Sequence, residues 1–177
     1  MIAYLVILFA VLTRIVPHPQ MYNFTAVGAG LLYFGARRSR WQIIFAVLAL
    51  MATDYWLTVY HYSYPFHIRG YLITWAWYAG IALLGSSLLR NSTALRVVAG
   101  VLTSATSFFL LSNFAVWPGS HMYSQDLRGL LDCLYAGLPF YRNDLISTSF
   151  FAIIFFGWKP ATEWVIDIVQ SSNQTTA

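Results

Sequence analysis

Few side chains in this sequence could do polar chemistry, and they recur at one level of an otherwise apolar chain: Arg14, Asn23, Asp54, Asn113, Asn143 and Asp144. Arg14 could pair with an anionic ligand group or with Asp54, and Trp75 and Tyr78 could offer stacking surface. Charged groups inside apolar spans are costly, so they face a bundle interior or a wet cavity. One reading is therefore a ligand pocket. The other is a buried Arg14–Asp54 ion pair, with Asn143 acting as a helix cap. No metal site is expected: His18, His61, His67 and His121 show neither H-x-x-H nor H-x-x-x-H spacing, and Cys133 is the one thiol. The motifs G-x-S-x-G, H-E-x-x-H and the P-loop are missing, and the six acidic residues are scattered singly. The expectation is a protein without catalytic residues or cofactor.

The elements that must position these groups follow from hydrophobicity. Hydrophobic residues make up 59% of the 177 residues and charged residues 9%, against about 25% charged in a soluble domain. A membrane helix needs ~20 mainly apolar residues. Six stretches approach this: Ile2 to Val16, Tyr22 to Ala36, Trp41 to Tyr60, Ile68 to Leu89, Ala94 to Val116, and Asn143 to Trp158. Pro17-His18-Pro19, Arg37-Arg38-Ser39-Arg40, the aromatic run ending at Pro65, Pro118-Gly119 and Lys159-Pro160 punctuate them. Between His121 and Tyr141, leucines at helical spacing mix with Asp126, Arg128 and Asp132, which predicts a short amphipathic helix at the interface. The expected fold is an all-α integral membrane protein, a six-transmembrane-helix bundle forming one domain over residues 1–170. Residues 171–177 form a polar C-terminal tail. Met1 to Leu12 has no basic n-region or small-residue cleavage site and reads as a retained first helix.

Six spans divide the loops into two sets. One holds Arg37, Arg38, Arg40, Arg90, Arg96 and Lys159; the other holds Arg14, Arg69, Arg128 and Arg142 with three aspartates. The positive-inside rule places the first set, and hence both termini, in the cytoplasm. Trp41, Trp117 and Trp158 fall at span ends, where indole rings favour the interface. With this orientation Arg14, Asp54, Arg69, Asn113, Asn143 and Asp144 share the outer level, on five of the six helices. The loop Pro17 to Asn23 and the segment His121 to Tyr141 would cover it. The net charge of +4 is small and dispersed, which gives no footprint for nucleic acid. A single cysteine permits no intrachain disulfide. Ala26-x-x-x-Gly30 and Ala76-x-x-x-Gly80 allow close helix approach, within the chain or against another subunit.

Three stretches carry a resemblance. They are Arg14-x-x-Pro17-His18-Pro19-x-x-x-Asn23-Phe24, running into Tyr33-Phe34-Gly35; Ser112 to Trp117; and Gly129-Leu130-x-x-Cys133-x-x-x-Gly137-x-Pro139-Phe140-x-x-Asn143, running into Phe156-Gly157. Together they make the chain look like a family of uncharacterised bacterial membrane proteins, themselves similar to the substrate-binding S components of energy-coupling factor (ECF) transporters. The resemblance implies an S-component-like bundle in the bacterial inner membrane, holding a micronutrient between helices on the outer side. ATPase and coupling subunits would supply the drive. S components often carry Ala-x-x-x-Ala on the first helix for the coupling subunit. Here Ala3 and Ala10 are seven apart with Ile7 between them, and the nearest substitute is Ala26 to Gly30.

The leading expectation is a substrate-binding subunit of an ECF-like importer, with Arg14, Asn23, Asp54, Trp75, Asn113, Asn143 and Asp144 lining or supporting the site. Its partners would be membrane lipid, a small-molecule ligand, and ATPase and coupling subunits. The alternative is a non-catalytic accessory subunit of a larger bacterial membrane complex, respiratory or photosynthetic. A third reading, a membrane enzyme using the outer histidines and aspartates, requires a His–carboxylate contact around a cavity.

Overall fold

A computed structural model describes residues 1–16, 21–118 and 121–175, with side chains described as far as residue 157. Pro17-His18-Pro19 and Gly119 lie outside the described residues. Among the described residues there are six α-helices and no strand. They are α1 (Ile2–Ile15), α2 (Val27–Arg37), α3 (Ile43–Trp56), α4 (Ile68–Leu88), α5 (Ala94–Val116) and α6 (Leu127–Thr175).

The short helix α2 is the centre of the bundle. Its sequence is apolar on every side before Arg37, and all its residues except Tyr33 and Arg37 are buried, one of the two settings, protein core or lipid, that such a pattern suits. Helices α1, α4, α5 and α6 surround it. Eleven residues rise only about 16 Å, half of a ~30 Å hydrocarbon core. The second expected span is therefore a short, enclosed helix. It starts at Val27 rather than Tyr22 because Asn23 takes a left-handed backbone conformation (φ 63°), which a right-handed helix cannot contain.

Helix α3 is extended at both ends. A turn of 3-10 helix, Arg40–Gln42, leads in, fixed by a reciprocal Ser39–Gln42 capping box. A π-helical turn, Leu57–His61, leads out, and the Tyr62 N–H reaches back to the Leu57 carbonyl at 2.8 Å. Arg40–His61, Ile68–Leu88 and Ala94–Val116 are long and apolar enough to cross a membrane, which is compatible with membrane insertion. Outward-facing Leu5, Leu8, Phe45, Leu48, Leu83 and Leu102 fit the same setting.

The last third of the chain corrects an expectation. No break separates an interfacial helix from a final span; α6 runs unbroken from Leu127 to Thr175, through Pro139, Asn143 and Pro160. Its first turn is fixed by Asp126, whose carboxylate accepts the Gly129 N–H at 2.8 Å and the Ser124 hydroxyl at 2.7 Å. Those bonds hold the exposed Asp126 carboxyl below the usual carboxylate range. The polar residues that suggested a break at 142–144 are accommodated in different directions. Arg142 is exposed, Asn143 faces a loop, and Asp144 turns into the bundle.

Small residues set the helix spacing. Gly30 of α2 lies against Ala10 and Val6 of α1, so Ala26-x-x-x-Gly30 is used inside the chain. Ala3, Ile7 and Ala10 are buried as well. Ala76 and Gly80 face outward from α4.

Candidate ligand site at one end of the bundle

The C-terminal ends of α1, α3 and α5 and the N-terminal end of α4 meet at the end of the bundle opposite Arg37 and Arg38. Arg14, in the last turn of α1, forms an ion pair with Asp54 of α3. Asp54 is 1% exposed. A buried carboxylate is tolerated only when its oxygens are hydrogen-bonded, and here the partners come from α4. The Trp75 indole N–H donates to Asp54 Oδ2 at 2.9 Å. The fully buried Tyr78 hydroxyl donates to the same carboxylate at 3.2 and 3.3 Å, while receiving Arg14 Nη1 at 2.6 Å. Four side chains from three helices thus close one network.

A second layer holds these residues. Phe66, Tyr71 and Trp75 stack, with ring centroids 4.9 to 6.1 Å apart and planes within 26°. The Tyr71 hydroxyl bonds the Thr58 hydroxyl, and Thr58 in turn donates to the Asp54 carbonyl at 2.7 Å. Thr58 belongs to the π-helical turn, an irregularity that is frequent beside functional sites.

The network forms part of the wall of a cavity of about 550 Å³. Arg14, Asn23, Asp54, Tyr78 and Asp144 all border it, with Thr13, Thr58, His61 and a run of aromatic side chains. A neighbouring cavity of about 210 Å³ lies between α5 and α6 and is bordered by Asn113, Cys133 and Tyr141. Asn23, Phe108, Phe140 and Asp144 border both.

The loop after Met21 covers this end. The Ala26 N–H donates to the Thr13 hydroxyl at 3.0 Å, the Asn143 amide donates to the Tyr22 carbonyl at 3.0 Å, and the Tyr22 ring packs on Phe140 at 5.8 Å. Asn143 therefore holds the loop instead of lining the cavity. Its replacement by alanine removes one such bond, worth about 0.5–1.5 kcal/mol. Asn143→Ala should speed hydrogen exchange at the Met21 to Ala26 amides by roughly two- to tenfold, with α6 amides unchanged. Unchanged exchange in the loop would contradict the clamp.

The seven residues singled out from sequence thus separate by role. Arg14, Asn23, Asp54 and Asp144 border the large cavity and Asn113 the small one. Trp75 is outside both linings, its N–H on Asp54 and its ring in the stack. Asn113 also donates to the Phe109 carbonyl in its own helix. Thr13, Thr58, Tyr71 and Phe108 escaped sequence reading. Nothing local marks them; a hydroxyl or ring on an apolar helix points to a cavity only once its neighbours are known. His61 borders the cavity with its ring stacked on Trp56, and the His67 ring contacts the Pro65 carbonyl. Among the described residues no histidine pairs with a carboxylate, and no three metal-ligating side chains gather. His18 lies outside the described residues.

Fold and site together define an all-helical protein with membrane-length apolar helices and, at one end, a largely apolar cavity bordered by a few charged groups. Residues 1–167 match the family of unknown function DUF6580, and the chain belongs to that family. No curated protein and no solved structure matches it.

Proposed function

We propose that this chain is a non-catalytic membrane protein that holds a small molecule in the 550 Å³ cavity, as the substrate-binding S component of an ECF-like importer does. The observation that carries the reading is the convergence of the Arg14–Asp54–Tyr78 network, Asp144 and several aromatic rings on one concave space. Ligand pockets are typically ~300–1,000 Å³, largely apolar, with a few placed polar groups. Structural networks alone pack their polar groups together; here they border open volume. The arginines at the opposite end, Arg37, Arg38, Arg40, Arg90 and Arg96, support placing the cavity on the outer side, with both termini cytoplasmic. The resemblance to S components supports the bacterial inner membrane and a micronutrient-sized ligand. The chain has no nucleotide-binding motif, so ATPase and coupling subunits are the proposed source of drive.

The test is purification in mild detergent from its own membrane followed by native mass spectrometry. The expected result is a small-molecule adduct that is lost from Tyr78→Phe/Asp144→Asn protein. Stoichiometric capture of a large respiratory or photosynthetic complex, with no adduct, would overturn the reading in favour of an accessory subunit.

A further inference from the structure

Asp144 differs from the other charged group buried at this end. Asp54 is matched by Arg14 and bonded by Trp75 and Tyr78. Asp144, 7% exposed, receives one hydrogen bond, from the Thr148 hydroxyl to Oδ1 at 3.3 Å. Its Oδ2 is buried and has no hydrogen-bond partner among the described residues. Among the described residues no cationic side chain forms an ion pair with it. The sole ion pair among the described residues is Arg14–Asp54, and Arg142, on the same helix, is exposed. The formal charges of the described residues bordering the large cavity therefore cancel except for that of Asp144.

Its position adds a direction. Asp144 borders both cavities, and so do Phe108 and Phe140. A carboxylate in a cavity that aromatic rings also border is a combination that can recognise a positively charged nitrogen, through Coulomb attraction at the carboxylate and the ring quadrupoles. A metal ion wants several oxygen, nitrogen or sulfur ligands, and no group of three His, Cys, Asp or Glu forms among the described residues. An organic ammonium needs one carboxylate and an apolar, aromatic surround.

We infer that the cavity's ligand is an organic cation whose charged nitrogen sits against Asp144, between Phe108 and Phe140. This rests on the reading of the cavity as a ligand site. The Arg14–Asp54–Tyr78 network then forms another polar part of the same wall, where Arg14 is already neutralised by its partner. Selectivity for positive charge comes from Asp144 alone.

The experiment uses the whole protein in detergent and isothermal titration with matched probes: phenethylammonium, phenethyl alcohol and phenylacetate, and the same three head groups on indole and cyclohexyl rings. The ammonium member of at least one set should bind at least ~30-fold tighter than its alcohol, the loss typical of leaving a buried charge unpaired. Asp144→Asn should abolish that preference while retaining the helical circular dichroism of the parent. Phe140→Leu, which leaves the carboxylate in place, should weaken the ammonium more than the alcohol. Alcohols or carboxylates binding as tightly as ammonium probes, or a preference that survives Asp144→Asn, would overturn the inference and leave the ligand site standing. Stabilisation by sodium chloride that requires Asp144, without any ammonium preference, would overturn it in favour of an inorganic ion. No saturable binding of any probe would overturn the ligand-site reading itself.

Discussion

Replacing Arg14 by methionine is expected to destabilise the protein by about 3–5 kcal/mol, because it leaves a buried carboxylate without its counter-charge. Asp54 is almost wholly enclosed, and with Arg14 gone its bonds come from Trp75, Tyr78 and nothing charged. Asp54→Leu alone should cost a similar amount, since Arg14 then keeps only the Tyr78 hydroxyl from the present network. The double variant Arg14→Met/Asp54→Leu should recover much of the loss, as removal of a whole buried pair is often near neutral. Unfolding in mixed micelles of increasing SDS content, read by circular dichroism, measures all three. Additive single effects in the double variant would contradict a coupled pair. The same variants separate stability from binding: a double variant that folds well should still have a misshapen cavity wall and reduced ligand affinity.

The second large effect belongs to the crossing of α2 and α4. A methyl group on Gly35 would run into the Ala82 carbonyl, and one on Gly85 into the Leu32 carbonyl. Both obstacles are backbone, so no side-chain rotation relieves them, and the two helices must move apart. Overpacking of this kind costs at least about 1–3 kcal/mol, and more when the central helix shifts from four neighbours at once. Gly35→Ala and Gly85→Ala should each lower the thermal midpoint by several degrees, at about 2–4 °C per kcal/mol for a chain of this length. Gly80→Ala is the control: nothing lies near its added carbon, and its effect should stay within about 0.5 kcal/mol. Equal midpoints for Gly35→Ala and the parent would remove the close crossing from the account.

The same two helices show what a sequence can and cannot disclose. The starts of α4 and α5 and the ends of α1 and α5 were legible to within a residue or two, because proline, arginine runs and capping threonine punctuate long apolar runs. The Arg14–Asp54 pair was legible for a different reason. Charges inside apolar spans have few places to go. What was not legible depended on contacts between distant segments. That α2 is central and enclosed follows from Gly35 of α2 meeting the Ala82 carbonyl and Gly85 of α4 meeting the Leu32 carbonyl, which periodicity within α2 does not encode. The continuity of α6 through Asn143 and Asp144 depends on a loop carbonyl at Tyr22 and a buried hydroxyl at Thr148 being ready to receive them. Read alone, the same three polar residues mark a helix end. For Trp75 the stacking ring was legible as a possibility, whereas the indole N–H donated to Asp54 depends on a neighbour 21 residues away.

The central claim is that the space bordered by Arg14, Asp54, Tyr78 and Asp144 is occupied by a small molecule in the working protein. Its most direct measurement is a high-resolution cryo-EM or crystal structure of protein extracted in mild detergent from its own membrane. The account predicts compact, non-lipid density between the Arg14–Asp54 pair and Asp144, under the loop that Asn143 holds. A cavity filled by a lipid chain, or closed by collapse of that loop onto Tyr78, would contradict it.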